Sequence, residues 1–530
     1  MRGLSLGIAL LSVAQLVTVP ARAADWSPRQ YLAEAEANYR EGYYFRAARY
    51  AFAATENENG GQSAIKPQAY SWITISLVKA GLYNAASYFF IRTLQSGDKG
   101  AIRRVLGETQ SLMVHVGPDL IRKYLIRHTR YEDYDSLNRS AYLYSLAKEA
   151  VLLGQYDKAA GYVNGIQASS PLYPFSLQIR GTAFAIQGKN DAAIQDFKAC
   201  ADRSGDIVVN SYGVDAARLK ITEREAEDLK ARCQAGEARV LYQEDQFADA
   251  ERAYDRIPKK SFVWPDILFE QAWNAYGKNE FNRSLGKLVS YKSPALKFVF
   301  NSEADVLTAQ SYLALCLYDD ANEVINAFNA KYTKVGEDIK RFVEGNGNNL
   351  TAFYDYGKDA LRDSLYTQNE AHRLVNRFVR TPYFQDLVLT EREAQTEASA
   401  IRRFDSSAGA LPGLARTGSG RGFPAFLEQV LKWRVRTARS LGGAFVKNSL
   451  LDYHAALISD FEKMSFIKLE MLKRAKDKLM NRKSLASDRE RGNVAPHRRD
   501  DQYYWSFNGE FWNDELGDYV FGLESECTRS

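Results

Sequence analysis

The chain has 530 residues, of which 45% are hydrophobic and 12% aromatic. That composition excludes wholesale disorder, and the length excludes a single compact core. Seventy basic against 65 acidic side chains leave a net charge of +5, which gives no bulk argument for nucleic acid or a strongly acidic partner. Residues 1–23 read as a secretory signal peptide: Arg2 supplies the positive start, Leu4 to Val19 an apolar run, and Ala21-Arg22-Ala23 a small-residue cleavage site. No cysteine lies near that site, and no later apolar run is long enough to span a bilayer. The expectation is an exported, periplasmic mature chain with no transmembrane segment.

Residues 24–139 carry divergent helical hairpins. Tyr31 to Ala54 turns at Gly42-Tyr43-Tyr44, and Pro67 to Leu94 turns at Gly81-Leu82-Tyr83. Ser96 to Arg139 is helical in pattern but off the frame, with Gly117-Pro118 as its turn. Residues 140–332 form the array proper. Gly154, Tyr156, Ala159, Val163 and Ile166 stand 34 positions before Gly188, Asn190, Ala193, Phe197 and Cys200, and Phe247 stands 34 before Phe281. Glycine tolerates the left-handed conformation that ends a helix, an aromatic fills the gap between helices, and alanine lets backbones approach. A 34-residue period of this kind resembles the tetratricopeptide repeat, whose units bury their apolar faces only by stacking into a solenoid. The predicted fold is therefore all-α, a tetratricopeptide-like helical-hairpin solenoid with extra C-terminal helices and a short aromatic tail.

A polar, partly helical insertion at 201–232 interrupts the array and is flanked by Cys200 and Cys233. An oxidising compartment permits a bridge between them, and two small packing residues would fit the pattern as well. Cys316 reads as a small apolar packing residue on its helix. Residues 333–403 continue as helices without the period, and 404–424, rich in Gly, Ser and Pro, read as a linker. From 425 to 483 the helical pattern resumes. Leu450, Tyr453, Leu457, Phe461, Met464, Met471, Ala475 and Leu479 trace one face that must be covered by the array or by another protein. The far end is basic through Lys473, Arg474, Lys476, Lys478, Arg482 and Lys483, a solvated face or a contact for anionic headgroups.

Residues 484–530 combine a polar stretch with a dense aromatic tail, too costly to leave in water. Its motif consists of Tyr504, Trp505, Phe507, Asn508, Gly509, Glu510, Phe511, Trp512, Asp514, Glu515, Leu516, Gly517 and Tyr519, followed by Cys527. Signal peptide, repeat array and this motif together resemble the tetratricopeptide proteins of deltaproteobacterial adventurous gliding motility. The resemblance implies a periplasmic scaffold that mediates protein–protein interactions in a cell-envelope motility complex. An adaptor of outer-membrane or cell-wall biogenesis is the alternative, and an envelope enzyme a remote one.

The five histidines form no HExxH or other metal-ligand spacing, and neither GxSxG nor a Walker motif occurs. No catalytic, cofactor or metal residue is therefore expected. A solenoid instead offers a concave groove lined by its first helices, suited to a peptide or helix of an envelope partner. The repeat frame puts Tyr144, Lys148, Gln178, Thr182, Arg239, Tyr242, Phe269, Trp273, Tyr276, Gln310 and Leu313 on that face. Phe269, Trp273 and Tyr276 are its aromatic centre. A frame error of one position would turn them into the core.

Overall fold

A computed structural model describes residues 26–56, 65–209, 216–296, 301–362, 370–407, 422–481, 507, 509–512 and 514–527. The expected signal peptide, most of the expected linker, the stretch 482–506 with Tyr504 and Trp505, and Asn508 lie outside the described residues.

The helices are α1 (Pro28–Arg40), α2 (Tyr44–Glu56), α3 (Ile65–Lys79), α4 (Tyr83–Gln95), α5 (Lys99–Leu106), α6 (Thr109–Val116) and α7 (Pro118–His128). The array follows as α8 (Ser136–Leu152), α9 (Tyr156–Asn164), α10 (Tyr173–Ile186), α11 (Asn190–Arg203), α12 (Asp206–Val209), α13 (Ala216–Gln243) and α14 (Phe247–Asp255). It continues through α15 (Trp264–Gly277), α16 (Phe281–Tyr291), α17 (Glu303–Ala314) and α18 (Tyr318–Asn346). Among the described residues four further helices follow: α19 (Leu350–Arg362), α20 (Glu370–Val379), α21 (Pro382–Ser407) and α22 (Phe423–Asn481). Consecutive helices pack pairwise, giving an all-α helical-hairpin solenoid.

One hydrogen bond recurs at seven hairpin turns. The amide three residues past the first helix donates to the carbonyl five residues before it: Tyr43 to Asn38 O, Leu82 to Leu77 O, Gln155 to Ala150 O, Lys189 to Phe184 O, Gln246 to Leu241 O, Glu280 to Ala275 O and Leu317 to Tyr312 O, all at 2.8–2.9 Å. This closure requires a left-handed residue just before the donor. Gly42, Gly81, Gly154 and Gly188 supply it in the first four turns, and Asp245, Asn279 and Cys316 take it with φ between 57° and 59° in the last three. The turn geometry thus persists where the glycine signal is lost.

Three expectations are corrected. Residues 96–139 are not one divergent pair but three short helices, α5 to α7, with Gly117 (φ 81°) setting up Pro118 as the first residue of α7. The insertion does not stop at Cys233, because α13 runs unbroken from Ala216 to Gln243 and serves as the first helix of the next hairpin. Helix α18 likewise continues fourteen residues beyond Tyr332, to Asn346, because Val335 and Ile339 extend its buried stripe against α22.

The long helix of the C-terminal region is a strut, and it packs against the chain's own array. Its first turns, Phe423, Leu427 and Leu431, join a core built from α1 to α9, where Phe423 meets Phe45 and Phe52 with ring centroids 5.7 and 5.0 Å apart. Its later turns, Val446 to Met471, join a second core with α17 to α21. Between these two large cores the middle hairpins hold only small clusters, one at each repeat junction.

Buried polar nodes fix the crossings. Leu82 at the start of α4 has no capping side chain, and Glu397 of α21 takes that role across 312 or more residues. Its carboxylate accepts from Asn84 N at 2.7 Å, Asn84 Nδ2 at 3.0 Å and Ala85 N at 3.0 Å, which satisfies orphan donors of the helix terminus. Arg434 of α22 donates to Asn84 Oδ1, Val116 O and Thr390 Oγ1 from the same pocket. Burial raises the Glu397 carboxyl to about 7, against the opposing pull of those amides, and the same burial lowers the Arg434 guanidinium.

Candidate functional site: a cleft between the array and the strut, beside a docked tail

Helices α15 and α22 face each other across a cleft of about 490 Å³. On the array wall stand Arg239, Asp266, Phe269 and Glu270; on the strut wall stand Tyr453, Asp460 and Lys463. Arg377 of α20 and Ser302-Glu303 at the start of α17 close it. The lining charges are paired. Arg239 grips Glu270 through two bonds of 2.9 and 2.6 Å, a pairing that holds its guanidinium firmly protonated. Arg377 bonds Asp266 at 3.0 Å, and Lys463 reaches Asp460 and Glu303 at 3.1 and 3.2 Å. Asp460, almost fully buried, also accepts a 2.6 Å bond from Ser302 Oγ. The site is thus a preorganised set of donors and acceptors beside half-buried rings, chemistry suited to holding a polar chain.

The structure distributes the expected groove residues unevenly. Phe269 and Arg239 line the cleft. Trp273 and Tyr276 continue from it along α15, half-buried, with ring centroids 5.8 Å apart, and the charge of Arg474 on α22 acts on the Tyr276 hydroxyl. Tyr242 is half-buried against Phe247. Gln178, Thr182, Gln310 and Leu313 are also half-buried, Leu313 against the second large core. Tyr144 departs from the expectation. It is buried in the first large core rather than presented on an open groove, with the charges of Asp119 and Arg122 on α7 and of Arg232 on α13 acting on its hydroxyl. Lys148 is held at 3.0 Å by Asp119 of α7.

Repeat-based reading missed the strut wall, since α22 returns nearly two hundred residues after α15. A signal was nevertheless present: Asp460 stands inside the apolar register Leu450, Tyr453, Leu457, Met464, Ile467, Met471, where a carboxylate needs a partner.

The described part of the tail lies on its own array, over α15 to α17. Leu516 is buried with Trp264, Leu268 and Leu288, and Gly517, at φ 93°, donates to Ser290 Oγ at 2.9 Å. A Cβ placed on Gly286 would stand 1.8 Å from Tyr519 O, so only glycine admits the tail's backbone at that point. Asn282 then brackets the chain. Its carbonyl accepts from Phe521 N, and its side chain both accepts from Leu523 N and donates to Leu523 O, at 2.9–3.0 Å. Phe507, Phe511, Tyr519 and Phe521 cluster edge to face, while Glu510 and Trp512 remain exposed. Lys259 holds the turn through Asp514 O and the Asp518 carboxylate, and Glu515 within that turn is half-buried.

Both disulfides follow from this packing. Cys200 and Cys233 are bonded, joining α11 to α13 across the insertion with Cα atoms 6.1 Å apart. Cys316 is bonded to Cys527 rather than acting as a packing residue, because the left-handed turn before α18 lies where the tail ends. Glu526 N, donating to Leu315 O at 2.9 Å, aligns the two strands of chain beside that bond.

Among the described residues no group of His, Cys, Asp and Glu is arranged to hold a metal ion, and no helix is long and apolar enough to cross a membrane. No protein-family model matches the chain, and no curated protein matches it.

Proposed function

We propose that this protein is a periplasmic scaffold of tetratricopeptide type that holds partner proteins in a cell-envelope complex, with gliding motility machinery as the complex that the tail motif favours. The observation that carries the reading is the cleft beside Phe269, Trp273 and Tyr276, where half-buried rings adjoin a rigid set of paired charges. Aromatic side chains and Arg at the rim of a pocket are the usual anchors of protein recognition. Two disulfides in a chain with four cysteines agree with an oxidising compartment, as does the signal-peptide pattern at the N-terminus.

The test is purification of the tagged chain from envelope fractions, with the wild type set against Trp273→Ala. The proposal expects envelope partners to co-purify with the wild type and to be depleted by the substitution, with helicity and melting nearly unchanged. It expects deletion of the gene to abolish movement while leaving growth intact. Permeability or growth defects with normal movement would move the protein to outer-membrane or cell-wall biogenesis. A large fall in melting temperature for Trp273→Ala would assign that ring to the core and remove the cleft as the binding site.

A further inference from the structure

The strut helix α22 carries two apolar seams on opposite faces. The inner one, from Leu450 to Met471, is buried in the second large core. The outer one follows the same alternation of three- and four-residue steps through Leu451, Ala455, Ile458, Glu462, Ser465, Leu469, Leu472 and Lys476, and every one of these is exposed. Leu451, Ile458 and their neighbours Phe466, Leu469 and Leu472 keep between 45% and 71% of their surface in water. A helix that is apolar on two opposite faces needs covering on both, and the described chain covers one.

The outer seam complements itself when reversed. Laid against an antiparallel copy with the twofold axis between Glu462 and Ser465, small Ala455 meets Leu472, Ile458 meets Leu469, Glu462 meets Ser465, and at each end Leu451 meets the aliphatic stem of Lys476. In the flanking row Asp452 falls opposite Lys473, an opposite-charge pair repeated by symmetry. A parallel copy would instead oppose Glu462 to Glu462 and Lys476 to Lys476, which like-charge repulsion disfavours. A lipid surface fits less well, because Glu462 and Ser465 interrupt the middle of the stripe.

We propose that the outer face of α22 is a dimerisation surface, on which a second copy of this chain packs antiparallel over residues 451–476. The seam spans roughly 38 Å at the helical rise, enough for seven turns of contact. Being isologous, it closes at two copies and leaves the cleft on the far side of α22 free in each, so the assembly would offer two clefts. This holds whether or not that cleft receives an envelope partner.

Sedimentation of the purified chain over a concentration series tests it. The wild type is expected to reach twice the single-chain mass, and Ile458→Glu with Leu469→Glu is expected to weaken association at least tenfold with unchanged helicity, since both residues are exposed. Register is read by thiol cross-linking. All four cysteines are already bonded, so Ile458→Cys and Leu469→Cys each introduce the one free thiol of the chain. Mixing the two variants should cross-link far faster than either alone. A wild type that stays at single-chain mass throughout, with or without binding to vesicles of anionic phospholipid, overturns the proposal. So does Ile458→Cys that cross-links to itself as fast as to Leu469→Cys, because that is a parallel pair.

Discussion

The two ends of the array and its middle are built from the same hairpin but held in different ways. At the ends, α21 and α22 return to pack on helices hundreds of residues earlier or tens of residues earlier, and the cores they complete contain fully buried Phe423, Phe353, Tyr354 and Phe384. In the middle, α10 to α16 pack mainly on their neighbours in sequence, with Phe197, Tyr254, Trp264 and Tyr291 as the larger rings of small clusters. Cross-links and the tail's anchor also fall in or beside that middle: Cys200–Cys233, Cys316–Cys527 and the seat of the tail on α15 to α17. A solenoid unit is stabilised by its neighbours alone. Where returning helices add non-local burial the array becomes a clamped body, and where they do not, covalent bonds and a docked segment stiffen it.

The strongest way to break this contrast is Phe423→Ala. Loss of a fully buried ring costs about 3–5 kcal/mol, and here the cavity opens where α2 and α22 share one core. Hydrogen exchange should therefore rise together in α1 to α4 and in α21 and α22, regions far apart in sequence. Phe197→Ala, of similar intrinsic cost, should raise exchange only in α10 to α13. Equal spreading from both substitutions would dissolve the distinction.

Next in size is the tail bond. Cys527→Ser removes a cross-link closing a 211-residue separation, worth about 2–4 kcal/mol in typical cases. The expected result is protease cleavage in the tail with little change in total helicity. Gly286→Ala should release the same segment by steric means, through the contact with Tyr519 O. Retention of full protection in both variants would show that the tail's aromatic packing alone suffices.

A smaller effect tests the end core through pH. The Glu397 carboxyl lies at about 7 in the folded chain, against 4.5 as its ordinary value. Between those limits the folded chain keeps a proton that the unfolded chain has released, so this group's stabilising contribution is complete below pH 4.5 and is lost as pH rises through 7. Its size is on the order of 1–3 kcal/mol at most. Denaturation curves of Glu397→Gln should lack that slope, and an identical slope in the variant would remove Glu397 as its source.

The smallest expected effect is at the cleft rim. The Arg239 side chain keeps more than half its surface in water, and its mostly buried partner Glu270 retains the bond from the Tyr254 hydroxyl, so Arg239→Ala should change stability by only about 1 kcal/mol. Any loss of a partner in that variant then reports recognition rather than folding.

Much of the array was legible from residues close together in sequence. The 34-residue frame placed α8 to α11 and α14 to α17 because Gly154 and Gly188 mark left-handed turns and small residues mark the crossings. The same turn was invisible as a motif at Asp245, Asn279 and Cys316, where its hydrogen bond is kept by a residue other than glycine. Of the residues that the repeat frame put on one face, Arg239 and Phe269 both line the cleft, whereas Tyr144 is buried in the first large core.

The amino-acid sequence by itself determined most of the helices, their pairing into hairpins and the inner apolar face of α22, because periodicity and turn closure depend on residues within about one helical turn of one another. Only the tertiary structure decided that Glu397 caps α4, that Cys316 joins Cys527, and that α22 rather than a partner forms the second wall of the cleft. Each of those depends on where the chain returns in space, and burial rewards a returning helix for its shape and charge wherever it lies in the sequence.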